Sequence, residues 1–100
     1  MNGFRLAGGR IEQVMGNDMA HFVYRNGDHL VSVFVADARM FHIPDEVMNN
    51  AVTHGDLTFY DHNCRGCRLV FHRIGNAIVV TATTERDIEL LDFVPGAGTI

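Results

Sequence analysis

Short stretches of alternating or β-branched apolar residues, each closed by glycine, asparagine or aspartate, run along most of the chain. That is the pattern of hairpins. Residues 4–7 and 10–15 are two short strand candidates, separated by Gly8-Gly9 and ended by Gly16-Asn17-Asp18. Residues 19–25 and 29–35 are predicted to pair around Asn26-Gly27, a dipeptide that tolerates the positive φ angles of a tight turn. With Asn26 and Gly27 as the two turn residues, Arg25 faces Asp28, Val23 faces Leu30 and Phe22 faces Val31. Both faces of this hairpin are then apolar, with Phe22 and Val31 on one and Met19, Val23, Leu30 and Phe34 on the other. Each face needs a cover of helix, sheet or partner, which makes Phe22, Val31 and Phe34 candidate partner-binding residues.

Within residues 39–50, Pro44 followed by Asp45-Glu46 predicts a short helix with proline at its first position and acids at the positive end of its dipole, ending by Asn49-Asn50. A strand is expected over 57–61, and a second hairpin over 68–74 and 77–83 around Gly75-Asn76. Thr84 is expected to cap a last helix with Glu85 and Asp87 in its first turn. Its apolar face would hold Ile88, Leu90, Leu91 and Val94, and Pro95-Gly96 would stop it. The expected fold class is therefore α+β: an antiparallel sheet of about six strands, a short middle helix, and a C-terminal helix packed on the sheet.

At 100 residues and 47% hydrophobic content the chain suits a single domain, 1–100, with one packed core. Its net charge of -4 comes with eight basic residues, all arginine and dispersed, so there is no basic stripe to neutralise a run of phosphates. Direct nucleic-acid binding is not expected. No apolar run approaches the roughly 20 residues that span a bilayer, and no basic region followed by an apolar stretch and cleavage site opens the chain. The chain is expected neither to span a membrane nor to be exported by itself, and it reads as the soluble part of a longer protein.

The chemically distinctive segment is Cys64-Arg65-Gly66-Cys67, with His62 before it and His72 after it. Two thiolates on a C-x2-C turn can share one metal, and His62 and His72, or His42 and His54, could complete a tetrahedral zinc or copper site. Covalent haem attachment is excluded because Arg68 stands where a histidine is required. A thioredoxin-like pair belongs at a strand-to-helix turn, whereas here Leu69-Val70-Phe71 continues as a strand. A structural or reversible disulfide between Cys64 and Cys67 fits the short loop in an oxidising compartment, and Arg65 and Arg68 favour a reactive thiolate. The plainest reading is two small, partly buried thiols at the mouth of a strand, with histidines nearby by chance. His21 and His29 read as half-exposed hairpin residues, and the five methionines, with no tight cluster, as core filling. There is no nucleophile elbow and no phosphate-binding glycine loop, so the chain is read as non-enzymatic.

The stretch Gly3-Phe4-Arg5-Leu6-Ala7-Gly8-Gly9-Arg10-Ile11, followed by Ala20-His21-Phe22-Val23-Tyr24-Arg25 and Val31-Ser32-Val33-Phe34-Val35, resembles the periplasmic C-terminal part of membrane-anchored anti-sigma factors. The final hairpin and the segment through Leu90-Leu91 resemble it in outline. The resemblance implies a periplasmic sensory or interaction domain of an inner-membrane regulator, with a protein partner or a second copy, and membrane association only through an anchor in the parent protein. Where that family carries a tryptophan-bearing strand, this chain has His62-Asn63-Cys64-Arg65-Gly66-Cys67. That replacement suggests a sensor specialised for a thiol-reactive or metal signal.

Overall fold

The computed structural model describes residues 3–14, 16–54, 57–64 and 66–85, apart from the side chains of His54, Leu57 and Cys64. Glycine at positive φ closes four tight turns, at Gly16, Gly27, Gly66 and Gly75, where a side chain would strain the backbone. The strands between them are β1 (Arg5–Val14), β2 (Asn17–Asn26), β3 (His29–Asp37), β4 (Ala51–His54), β5 (Leu57–Cys64), β6 (Cys67–Ile74) and β7 (Ala77–Thr83). They form one antiparallel sheet of order β1-β2-β3-β7-β6-β5-β4. The sheet consists of two meanders that meet where β3 pairs with β7, and its edges are β1 and β4.

The chain between β3 and β4 crosses one face of this sheet and contains the short helix α1 (Asp45–Met48), which packs on β5. Register places Ala36 beside Ile78, and Phe34 and Phe71 on either side of Val80, all on this face. Together with Met19 they pack against Phe41 and Val47 of the crossing segment to make the core. The far face is also buried along its centre, at Val31, Phe59, Val70, His72 and Thr81. Burial on both faces explains why β6 and β7 read as nearly continuous apolar and β-branched runs.

The α+β expectation is corrected by the structure: the described residues form a nearly all-β antiparallel fold of seven strands, where about six were expected. Among the described residues the only helix is four residues long. Pro44 is its N-cap, in extended conformation, and not its first helical residue; the helix ends at Asn49. Ala51–His54, too short to stand out in the sequence, pairs with β5 as the edge strand β4. The expected C-terminal helix lies outside the described residues from position 86 onward. Thr84 and Glu85 are described: Thr83, not Thr84, accepts the Glu85 amide, and the Glu85 carboxylate accepts from the Leu30 amide and pairs with His29.

Two details of the first meander also differ. Gly27 and Asp28, not Asn26 and Gly27, occupy the turn, so Asn26 pairs with His29 and Phe22 with Val33. The slip is two residues in pairing, so every side chain keeps its expected face. Gly8-Gly9 does not divide two strands, because β1 runs through it with a bulge between Leu6 and Gly8. Phe22 lies over Gly9 so closely that a Cβ there would meet the ring at 3.0 Å. Gly9→Ala is therefore expected to cost about 1–2 kcal/mol by displacing the ring, a loss that urea unfolding would show as a lower midpoint.

Candidate functional site

The cysteine turn is built as a two-residue hairpin. Cys64 ends β5, Gly66 turns with φ 69°, and Cys67 opens β6 directly opposite Cys64. Facing residues of an antiparallel pair have Cα atoms about 4.5–5.5 Å apart, within the range a disulfide spans. No cysteine among the described residues is a free thiol, and Cys67 is disulfide-bonded. The chain's one other cysteine is Cys64. His62 faces Leu69, so it lies diagonal to Cys67 on the α1 face.

His72 does not join this group. It faces Phe59 on β5 and Val79 on β7, which puts it on the far face of the sheet. One five-residue spacing along a strand thus divides the proposed ligands between two sides. His42 is exposed in the segment before α1. Among the described residues no three histidine, cysteine or carboxylate side chains form a metal-holding group; the Cys64 side chain is not among them.

The surroundings of His72 give the far face its own polar row. His72 has no solvent exposure, and among the described residues neither of its ring nitrogens has a hydrogen-bond partner; Thr81 Oγ1 and Asp61 Oδ1 are likewise buried and unpartnered there. Val70 faces both Asp61 and Thr81, so both residues sit diagonal to His72 on the same face. Burial holds the His72 pKa below the ordinary imidazole value, which keeps the ring neutral with one donor and one acceptor unmet. The sequence could not reveal this row, because Asp61, His72 and Thr81 lie on three strands and only the register brings them together.

A second histidine, His21, is held on the α1 face. Its Nδ1 lies 2.8 Å from Glu12 Oε2, its ring stacks on Phe34 at 4.2 Å, and its Nε2 is buried without a partner. Burial pushes the Glu12 pKa up, but Arg10, paired with its other oxygen, and His21 together bring it below the usual glutamate range. The contact rests on the β1–β2 register, in which Arg10 faces His21 and Glu12 faces Met19, a pairing that the sequence pattern did not supply.

The three residues expected to bind a partner do not share a surface. Phe34 packs against the core on the α1 face, Val31 is fully buried on the far face, and Phe22 is half-buried over Gly9. No family model matches the chain, and neither a curated protein nor a solved structure is significantly similar to it.

Proposed function

We propose that this chain is a non-enzymatic sensing or interaction domain whose β5–β6 hairpin is closed by a Cys64–Cys67 disulfide, working in an oxidising compartment such as the periplasm. The observation that carries the reading is the direct opposition of Cys64 and Cys67 across a two-residue turn, with no free thiol among the described residues. The resemblance of the first three strands to the periplasmic part of membrane-anchored anti-sigma factors supports a place outside the inner membrane, with the anchor supplied by a parent protein. Reduction takes up two electrons and two protons and yields two thiols. It releases the hairpin end beside Arg68 and Leu69, at the margin of the core against which Leu69 packs.

Alkylation of the purified protein followed by intact mass measurement tests this directly. Protein prepared without reductant should take up no alkyl groups, and reduced protein should take up two. Free thiols in both preparations would refute the reading. Because the closed loop is short, the disulfide is expected to add only about 1–2 kcal/mol, to be read as a lower melting temperature after reduction. A second reading, zinc or copper held by the reduced pair with His62, is favoured by the diagonal position of His62 and Cys67 on one face. Elemental analysis of untagged reduced protein should then find about one metal per chain.

A further inference from the structure

We propose that the open end of the β1–β2 ribbon binds a phosphate-type oxyanion between Arg5 and Arg25. These two residues face each other directly across the strands. Like charges in such a position oppose strand pairing unless something of opposite charge lies between or beside them. Two other arginines are held by carboxylates, Arg10 by Glu12 and Arg39 by Asp37, and Arg73 donates to the Gly75 carbonyl. Arg5 and Arg25 have no carboxylate partner among the described residues.

The same two residues line an open cleft of about 420 Å³ together with Gly3, Leu6, Asn26 and Gly27, and among the described residues no acidic one borders it. Gly3, at φ 86°, comes so close to the Asn26 amide that a Cβ there would stand 3.1 Å from its Nδ2. The nearby carboxylates do not compete: Asp28 is in the turn and does not line the cleft, and Glu85 is engaged by His29 and the Leu30 amide.

Two guanidinium forks suit a tetrahedral oxyanion, because each can donate two parallel hydrogen bonds to a pair of its oxygens. Leu6 faces Tyr24, on the other side of the ribbon from the two arginines, so the arginines alone define the ligand chemistry. The ligand class is therefore a phosphate monoester or the phosphate of a lipid headgroup. This site is independent of the cysteine hairpin, since β3, β7 and β6 lie between β2 and β5.

Amide and guanidinium NMR of the full chain, titrated with inorganic phosphate, tests the site. Saturable shifts are expected at Gly3, Arg5, Arg25 and Gly27, with at least a tenfold weaker affinity in Arg5→Gln and in Arg25→Gln and a smaller loss in Arg25→Lys. Both glutamine variants alter exposed side chains and should keep the wild-type spectrum elsewhere, so lost binding would not reflect lost fold. Sedimentation with phosphatidylcholine vesicles, with and without phosphatidylglycerol, identifies the source. Binding to the anionic vesicles alone, abolished in both variants, supports a lipid headgroup; phosphate binding without vesicle binding supports a soluble ester. Linear shifts that never saturate in phosphate together with no vesicle binding, or binding in either arm that the glutamine variants leave unchanged, would overturn the proposal.

Discussion

Replacing Phe59 with alanine should remove about 3–5 kcal/mol of stability, the cost of emptying a buried aromatic site. Phe59 is 1% exposed and sits between Val52 on the edge strand β4 and His72 on β6. Its ring closes the far face where β4 joins the sheet by only four residues. A domain of this size has about 5–15 kcal/mol in total, so Phe59→Ala should leave a protein near its folding limit at 25 °C. Urea unfolding followed by circular dichroism measures this loss. An unchanged midpoint would mean that Phe59 is not packed as described.

Acidification from pH 7.5 towards pH 5 should destabilise the wild-type chain, and His72→Leu should remove most of that dependence. The unfolded imidazole titrates near 6.5, whereas burial lowers the folded value. Below 6.5 the unfolded chain takes up a proton that the folded chain refuses, so stability is complete above this pH and falls as pH drops. The slope approaches about 1.4 kcal/mol per pH unit and levels off below the folded value. The lowered carboxyls of Glu12, Glu85 and Asp37, the last held at about 2 by Arg39, act the same way but further into acid, below their unfolded values of 4.5, 4.5 and 3.8. The two windows are therefore separable in a pH series of unfolding curves.

At pH 7.5 His72→Leu should itself stabilise the protein by about 2 kcal/mol, because it removes two buried ring nitrogens that have no partner. A destabilised leucine variant with an unchanged pH slope would show that His72 is solvated in the folded state. Phe59→Ala should also flatten the slope, since the space it opens beside His72 can admit water to those nitrogens. The two substitutions are thus expected to be non-additive.

Much of the sheet could be read directly from the sequence because its determinants are local. Gly75-Asn76 between two β-branched runs marks the β6–β7 hairpin, and the structure places those strands at Cys67–Ile74 and Ala77–Thr83. The face assignments of Phe22, Val31, Met19 and Phe34 also hold, because a two-residue slip preserves the alternation of a strand. The short middle helix was legible for the same reason: Pro44-Asp45-Glu46 is a local start signal and Asn49-Asn50 a local stop, and α1 runs over Asp45–Met48. That Ala51–His54 then returns as β4 was not legible, because so short a strand is defined only by its pairing with β5.

The candidate site shows the same division. Spacing alone put Cys64 and Cys67 on one turn, and the hairpin bears this out, because a two-residue loop fixes which residues face each other. Where β6 begins was not legible, and only with Cys67 as its first residue does the five-residue spacing turn His72 to the other face. By itself the sequence determined the Gly75-Asn76 turn, the strand alternation and the placing of both cysteines at one turn, all properties of neighbouring residues. Only the tertiary structure decided the seven-strand order, the buried row of Asp61, His72 and Thr81, and the opposition of Arg5 and Arg25, because each depends on which distant strands pair and in what register.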